Sequence, residues 1–452
     1  MKKINCIPLV IILLFCLSIQ AQTKKWTLEE CVKYAIDNNI SIKQTELDTK
    51  TADIGKKDAI GNFIPSLNSN ASHSWNIGLN QDITTGLLRN QTSQFSSFGA
   101  GLGFDIYKGM QNQNTLRRAN LSIIAAKYQL TKMQEDVALN VANAFLQVLF
   151  NKENLKVQQE QKANNEKQLS RSEELVKAGS VPRGDLLDIK ATVASDAQRV
   201  VTAENTLLIS KLSLAQLLQL KEFYDFDITD DTSVKDENNI LAQTPVAVYD
   251  KAKEQRTELK IAKTNLDIAE KNVAIAKGAF QPTLQGFYNI NTRISYADTF
   301  DFQTGLSRPA ASFEQQFLDN KGQTFGAQLS IPVFNGWSVK NNVERSKVNL
   351  EKSKIAVEQE ELTLQRNVYT AFTDAKGGLN AYESAITALE ARQEAYNYAK
   401  ERYAVGIMNS FDFNQSQTLF TVAQSEVLRT KYDYIFKIKI LEFYFGIPII
   451  KN

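Results

Sequence analysis

Histidine, cysteine and proline are scarce in this sequence. The chain of 452 residues has one histidine, His73, together with three cysteines and eight prolines. A single imidazole excludes a zinc site built on several histidines, and no metal or cofactor is expected. The shortage of proline favours long uninterrupted elements over a loop-rich globule.

Net charge is nearly absent as well. The formal charge of +2 comes from Lys2 and Lys3, because residues 1–21 hold no other charged side chain and the remainder carries 50 of each sign. A neutral chain offers no electrostatic basis for binding nucleic acid, so no nucleic-acid partner is expected.

Residues 1–21 have the pattern of a secretory signal peptide. The two lysines precede the apolar stretch Ile7–Leu17, and the segment ends at the small residue Ala21. Signal peptidase requires this order of a basic start, a short apolar run and a small residue at the cut. We therefore predict cleavage after Ala21 and export from the cytoplasm.

Disulfide chemistry is excluded after that cleavage. Cys6 and Cys16 are removed with the signal, and Phe15 stands where a lipidated cysteine needs a small residue before it. Only Cys31 remains, and one cysteine forms no intrachain disulfide.

Long hydrophobic runs are missing too. No segment after the signal reaches about eighteen consecutive apolar residues, the usual signature of a transmembrane helix. Two classes of exported protein remain, namely a soluble periplasmic protein and a β-barrel of the outer membrane.

Four segments with the period of a β-strand decide between these classes. The predicted strands cover about residues 67–80, 96–107, 284–297 and 324–334. In each strand one parity is apolar, and the other is rich in Gly, Ser, Asn and Gln with few charges. The apolar rows run from Leu67 to Leu79, Phe98 to Ile106, Leu284 to Tyr296 and Phe325 to Val333.

A membrane barrel needs such strands, because it has lipid outside and water inside. An ordinary antiparallel sheet on a soluble core remains the alternative, since period 2 alone fits both. Four strands do not close a barrel, and open edges cannot face lipid, so we expect an obligate oligomer. The longer loops, Asn80–Gln94 and Ala297–Gln323, are predicted to be extracellular.

The sequence is an internal duplication. Phe98 recurs as Phe325 and Gly109 recurs as Gly336, in both cases 227 positions later. The Phe-x-Pro-x-Leu motif also occurs twice, as Phe63 to Leu67 and Phe280 to Leu284. We predict a signal peptide at 1–21, a first structural repeat at 22–222, an acidic linker at 223–244 and a second repeat at 245–452.

Each strand pair is followed by a long heptad pattern. In the first copy the apolar stripe shifts by four residues between Val137 and Val141, and the second copy repeats this shift between Leu364 and Val368. An insertion of four is a stutter of a coiled coil. The pattern predicts antiparallel hairpins of long helices at about 110–178 with 184–220 and 337–405 with 410–445.

At ~1.5 Å per residue, the first of these helices would be about 100 Å long. Shorter helices, Leu28–Asn62 and Pro245–Ala279, are predicted before the first strand of each copy. Pro65 and Pro282 mark where each of them gives way to strand.

In the order and spacing of these motifs the chain resembles the TolC family of outer-membrane efflux and secretion channels. Beside the Phe-x-Pro-x-Leu repeats, the resemblance is carried by short motifs that are specific only in combination: Trp26 to Val32, Asn38-Asn39, Pro332 to Gly336, Leu217 to Leu220 and Tyr444 to Ile447.

That resemblance implies a mostly α-helical protomer with four strands, and a homotrimer whose twelve strands form a barrel in the outer-membrane lipid. A long antiparallel coiled-coil helical barrel would continue into the periplasm and meet a periplasmic adaptor (membrane fusion) protein and an inner-membrane pump. The implied function is the exit duct of a tripartite efflux or type I secretion system.

The hairpin tips are the candidate functional residues. At the shift of 227 positions, Gly179 corresponds to Gly406, Asp185 to Asp412, and Asp188 to Gln415. The resemblance implies that the two glycines contact the adaptor and that the four other residues constrict the periplasmic entrance. In the family, acidic residues of the second tip form rings that favour cations. Here Asp412 matches that position, and Gln415 replaces the next carboxylate.

Capping is the alternative interpretation of Asp185 and Asp412, because both lie near predicted helix starts. Symmetric carboxylate rings would instead raise one another's pKa and select cations.

No nucleophile, base and orienting group occur together, so the chain is predicted to be a passive conduit and no enzyme. Two rival classes stay open. One is a periplasmic coiled-coil adaptor or scaffold without a pore. The other is an enzyme carried by a barrel, against which the single histidine on the lipid-facing parity argues.

Overall fold

The computed structural model describes residues 25–81, 86–221, 225–229, 240–301 and 303–449. The predicted signal peptide and much of the predicted acidic linker lie outside the described residues. The chain divides into two compact units. One lies within residues 1–47, 128–260 and 359–452, and its described part is mainly helical; the other holds residues 48–127 and 261–358 and contains the main sheet.

The first copy begins with a short strand and two helices, continues with two long strands and ends in a helical hairpin. Its elements are β1 (Lys25–Trp26), α1 (Leu28–Asn38), α2 (Ile40–Gly61), β2 (Ser66–Gln81), β3 (Leu88–Lys108), α3 (Gln111–Lys177) and α4 (Arg183–Leu217).

The second copy repeats this order with an insertion between its long strands. Its elements are β4 (Asp227–Ile228), a single 3₁₀ turn (Ile240–Ala242), α5 (Pro245–Gln255), α6 (Thr257–Gly278), β5 (Thr283–Ser295), β6 (Thr299–Asp301), β7 (Leu306–Arg308), α7 (Phe313–Asp319), β8 (Gly322–Ser330), α8 (Ser338–Ala404) and α9 (Ser410–Phe445). The predicted mostly α-helical fold with four long strands is confirmed.

The two shorter helices differ from the prediction, because each is broken by one extended residue. Asn39 (ψ 130°) separates α1 from α2, and Arg256 (ψ 130°) separates α5 from α6. The Asn39 side chain accepts a hydrogen bond from the Ser41 N–H and so restarts the helix. A break of one residue leaves the apolar periodicity on both sides intact, and the sequence pattern therefore missed it.

Two strand ends also differ. β3 begins at Leu88, eight residues before the predicted start near residue 96, because β2 pairs with it along its whole length. β8 ends at Ser330, although the alternation continues to about residue 334. Its partner β5 begins opposite that residue, and Pro332 has no N–H to donate. Among the described strands, the segment after Ser330 therefore has no neighbour.

The core of the helical unit lies where the first helix of the chain packs on the long helices. Its fully buried side chains include Cys31, Val32, Val141, Val148, Leu214, Leu218 and Ile228. Burial raises the pKa of the Cys31 thiol to about 12, and the nearby charge of Glu30 adds to the shift, so this cysteine is an inert core residue.

A small parallel sheet fastens the start of the second copy to this core. β1 pairs with β4, and Asp227 of β4 forms ion pairs with Lys211 (Nζ to Oδ1, 2.9 Å) and Lys152 (Nζ to Oδ2, 3.5 Å). Burial acts to raise the pKa of Asp227, but the two ammonium groups outweigh it and hold the pKa below its usual value.

The main sheet of the other unit is antiparallel, with strand order β2-β3-β5-β8. The first copy contributes β2 and β3, the second contributes β5 and β8, and the two copies meet where β3 pairs with β5. β2 and β8 are the edge strands.

Candidate functional site

The register of the main sheet places all four predicted apolar rows on one face. Leu67 lies opposite Leu102, Leu102 opposite Tyr288, and Tyr288 opposite Phe325. Side chains of this face are widely exposed in the protomer, for example Ile77 at 83% and Phe325 at 80%. Such a continuous apolar face needs a covering medium or partner.

The opposite face carries the polar rows. Asn68, Gly101, Asn289 and Thr324 lie in one line across the four strands. Several glycines there make room for neighbouring amides; a Cβ added to Gly99 would lie 2.8 Å from Oδ1 of Asn70. These glycines therefore let the asparagine side chains lie flat against the sheet, and the polar face stays lined with amides.

Two residues depart from the predicted parity. Ile106 is the extra residue of a β-bulge between Asp105 and Tyr107, so the apolar row continues through Tyr107, opposite Leu284. Phe287 belongs to the polar row and packs over Gly326, where an added Cβ would lie 3.1 Å from its ring. A bulge shifts the parity of the following residues, and sequence periodicity does not reveal where it occurs.

A short helix of the insertion packs on the apolar face. Phe317 and Phe313 of α7 contact Phe98 edge-on, with ring centroids 5.6 and 5.9 Å apart. The Gln316 side chain accepts a hydrogen bond from Ser295 N–H (2.9 Å) and donates one to Ser295 C=O (2.9 Å). Gln316 thereby provides hydrogen-bond partners to backbone groups of β5 beyond the part of this strand that pairs with β8.

Both hairpin tips end their first helix in the same way. Gly179 and Gly406 have φ of +72° and +76°, the left-handed conformation that favours glycine. In the first tip Ser180 N–H donates to Leu175 C=O, and in the second Ile407 N–H donates to Arg402 C=O. This pattern is the Schellman motif, and no described atom lies within 4 Å of a Cβ added to either glycine.

The two aspartates at corresponding positions of the tips have different partners. Asp185 Oδ1 accepts a hydrogen bond from the Ser410 hydroxyl (3.3 Å), which links the start of α4 to the start of α9. Asp412 Oδ2 accepts one from the Asn409 amide (2.9 Å) within its own tip. The cap of α9 is Asn409, whose Oδ1 accepts from Asp412 N–H, and α4 begins at Pro182 without a side-chain cap.

Neither carboxylate therefore makes the capping hydrogen bond of its helix, although both lie in the first helical turn, where a negative charge suits the helix dipole. The remaining predicted site residues, Asp188 and Gln415, are exposed on the second turn of their helices. The fold brings Asp185 to the second tip and leaves Asp412, Asp188 and Gln415 exposed in the protomer.

A buried polar layer between the long helices was not predicted. Asn165 of α3 donates to Asp196 of α4, and Thr421 of α9 donates to Gln161 of α3 (2.8 Å). Asn165 Oδ1 and Gln417 Oε1 are buried without a hydrogen-bond partner among the described residues. The only sign of this polar layer in the sequence was Lys162, which lies in the heptad stripe at a position where an apolar residue is expected.

Arg256 forms a second polar cluster in the helical unit. It is 4% exposed, pairs with Glu135 (3.0 Å) and Glu258 (3.1 Å), and stacks on Phe443 at 3.7 Å from the ring centre. Burial raises the pKa of Glu135; the charge of Arg256 opposes this shift, and that of Glu258 adds to it. Nothing in the heptad pattern indicated this arginine.

The described residues contain no group of three or more His, Cys, Asp or Glu side chains suited to holding a metal ion. Within the same part of the chain, none of the helices combines the length and apolarity needed to cross a membrane.

Known proteins of similar sequence and fold are outer-membrane and channel proteins. The chain is 22% identical to the outer membrane protein TolC of Escherichia coli K12 over 88% of this chain and 78% of that protein. A membrane protein from Pseudomonas aeruginosa superposes with a TM-score of 0.79 at 17% identity, over 93% of both chains. CusC, solved in a study of transmembrane channel formation, superposes with a TM-score of 0.77 at 17% identity, over 92% of this chain and 91% of its own.

The family described as "Outer membrane efflux protein" matches residues 32–219 and 248–439, which together make up most of the chain. The resemblance to the TolC family and the predicted outer-membrane location are thereby confirmed. The chain belongs to the outer membrane efflux protein family.

Proposed function

We propose that this protein is the passive outer-membrane exit duct of a tripartite efflux or type I secretion system. Three copies join their sheets into one barrel wall, and the helical units form the conduit that receives cargo from an inner-membrane pump. The observation that carries this proposal is the two-faced sheet with two open edges, since such a sheet suits a wall between lipid and water.

The same observation weighs against a periplasmic adaptor or scaffold without a pore. A scaffold of coiled coils needs no continuous apolar sheet face, whereas Ile77, Phe325 and Leu329 of this face are each at least 60% exposed. Relatives with efflux functions, such as the cation efflux protein CusC of Escherichia coli O157:H7, support a duct.

Reconstitution in planar bilayers tests the duct. Mature protein extracted from the outer-membrane fraction is expected to be trimeric by light scattering in detergent and to give discrete conducting steps. A preparation that is recovered only from the periplasmic fraction, or that never conducts as a trimer, would contradict the proposal and favour the scaffold.

At the periplasmic end we propose an entrance narrowed by Asp185, Asp188, Asp412 and Gln415. Asp412 and Asp188 are exposed in the protomer, and symmetry would repeat each carboxylate three times around the axis. The hydrogen bond from Ser410 to Asp185 ties the two tips of one protomer together and so supports a common entrance.

Charge removal at the tips tests the entrance. The double variant Asp185→Asn, Asp412→Asn keeps the acceptor oxygens, and its cation preference, measured as a reversal potential in a salt gradient, is expected to fall. Glu401→Gln, an exposed substitution in the same hairpin, serves as the control. Unchanged selectivity in the double variant would leave the two aspartates with a structural role alone.

We propose that the adaptor contacts the open surface around Gly179 and Gly406. Both glycines lie in identical turns with free space at the Cα, so a partner can approach the backbone closely. Copurification with the adaptor and pump is expected from wild-type cells, and the chemical type of that pump would identify the cargo. The protein itself contributes a path and no catalysed reaction.

A further inference from the structure

The duplication extends to the backbone conformation of individual residues. Gly109 and Met110 have φ of +56° and +59°, and their counterparts 227 positions later, Gly336 and Trp337, have φ of +60° and +61°. The strands β2 and β5 correspond at a shift of 217 positions, from Ser66 to Thr283. Each copy therefore builds the same local structure and presents the same kind of edge.

Within the main sheet of one protomer the two copies meet along one seam. β3 of the first copy pairs antiparallel with β5 of the second, and at the foot of this seam Gly109 and Gly278 are both buried in backbone contact. A Cβ on either glycine would overlap the carbonyl oxygen of the other. Further along, Arg118 donates a hydrogen bond to Asn272 (3.3 Å).

The surfaces that correspond to this seam are uncovered in the protomer. The counterpart of β3 is β8, and the counterpart of β5 is β2, and both are sheet edges. Gly336 and Gly61, which correspond to Gly109 and Gly278, are exposed, and no atom of the described residues lies within 4 Å of a Cβ added to them. Val333 and Phe334 beside them are 92% and 79% exposed.

We propose that a second copy of this chain covers these surfaces and repeats the internal seam residue for residue. This inference rests on the proposed function, because a closed wall requires β8 to meet the β2 of the next copy. Transfer of the β3 to β5 register by the two shifts places Phe325 opposite Trp75 of the next copy, and Gln328 opposite its Ser72. Gly336 then lies against Gly61 of the next copy.

The chemistry of the transferred pairs supports this register. Phe325 and Trp75 both belong to the apolar face and are 80% and 59% exposed, so their pairing buries two aromatic rings together. Gln328 and Ser72 both belong to the polar face. A slip of one residue would place every apolar side chain on the wrong face.

The same register gives a partner to the segment after Ser330. In the first copy, β3 continues to Lys108 beside the start of β5. The equivalent residues, 331–334, would lie beside the start of β2 of the next copy and extend β8 there. The alternation of apolar and polar residues, which continues to Val333 in the sequence, then belongs to a paired strand of the assembled wall.

Cysteine cross-linking tests the register. The double variant Ser72→Cys, Gln328→Cys is expected to give covalent dimers and trimers on non-reducing gels. Asn70→Cys or Ser74→Cys combined with Gln328→Cys are matched controls, because a slip of two residues separates the Cα atoms by roughly 7–8 Å, beyond disulfide reach. Wild-type protein, with its buried Cys31, gives the background.

Equal or stronger cross-linking of a control pair in trimeric, conducting protein would overturn the register and leave the duct intact. A monomeric, non-conducting preparation in which no pair cross-links would overturn both proposals. Light scattering and bilayer conductance are therefore recorded for every variant, so that the two failures are told apart.

A glycine substitution provides the second test. Gly61→Ala meets nothing in the protomer but is expected to cause loss of the trimer, because its counterpart Gly278 touches backbone. Gly55→Ala in the same helix is the control, since nothing lies within 4 Å of its added Cβ and its counterpart Asn272 already carries a side chain at the seam. Equal trimer yield from both variants would refute the glycine contact.

Discussion

Arg256 connects three helices of the helical unit through one guanidinium group. It stands between α5 and α6, pairs with Glu135 of α3 and Glu258 of α6, and stacks on Phe443 of α9. The guanidinium is buried, so its charge is compensated by these two carboxylates alone among the described contacts. Arginine suits such a position because its planar group stacks and pairs at the same time.

Replacing Arg256 with Met should destabilise the protein by about 3–5 kcal/mol at neutral pH, because two carboxylates lose their counter-charge. Burial raises the pKa of Glu135 above its usual value, and the charge of Arg256 opposes this rise. Removing Arg256 therefore raises that pKa further. Ionised Glu135 then destabilises the fold above its pKa, and protonation at lower pH relieves this cost. Thermal unfolding should therefore show a larger loss near pH 8 than near pH 5.

Lys253→Met is the matched control for Arg256→Met. Lys253 pairs with Glu361 at 3.0 Å, but its side chain is 41% exposed. Solvent screens an exposed pair, so this pair contributes little to stability and the expected loss is small. Similar losses in the two variants, or a loss at Arg256 that is independent of pH, would contradict the role given to the buried cluster.

At the scale of single elements, the two hairpin tips depend on glycine for conformation. Gly179→Ala and Gly406→Ala should each destabilise the tip by about 1 kcal/mol, because alanine is strained in the left-handed conformation of these two positions. The added Cβ itself would meet no atom of the described residues within 4 Å. Gly184→Ala, in the regular first turn of α4, should be neutral or slightly stabilising. Limited proteolysis at the tips measures the difference, and equal cleavage rates in the three variants would contradict it.

The insertion helix α7 makes a prediction at the same scale. Gln316→Met removes both hydrogen bonds to Ser295 and should speed hydrogen exchange of the Ser295 amide about tenfold, which corresponds to roughly 1.4 kcal/mol. Gln315→Met changes the neighbouring exposed side chain and should leave that exchange rate unchanged. An unaltered rate in both variants would mean that α7 does not protect the edge of β5.

At the scale of the whole molecule, the proposed seam between copies lacks a side-chain hydrogen bond that the internal seam makes. Arg118 bonds Asn272 inside the protomer, whereas the corresponding pair between copies joins Arg345 to Gly55. Gly55→Asn should therefore add one hydrogen bond to each of three interfaces and raise the temperature at which the trimer dissociates. Gly55→Ala controls for helix propensity, and a gain no greater than that of the alanine variant would argue against the proposed seam.

The sequence by itself determined the class of elements and their order. Apolar residues at period 2 and period 7 fix which side of each strand and helix is apolar, because side-chain direction follows directly from backbone geometry. The sequence also placed glycines at corresponding positions of the two copies, Gly179 with Gly406 and Gly109 with Gly336, and the structure shows positive φ at all four. These are local properties, so the residues of each copy determine them independently of the other copy.

Only the tertiary structure decided which residues meet. The breaks at Asn39 and Arg256, the bulge at Ile106 and the bond from Ser410 to Asp185 depend on neighbours far away in the chain. A helix break or a bulge costs little locally and is chosen by packing, and polar pairs such as Asn165 with Asp196 leave no periodic trace. The pairing of β3 with β5 likewise came from the fold, because alternation gives a strand its two faces but does not name its neighbour.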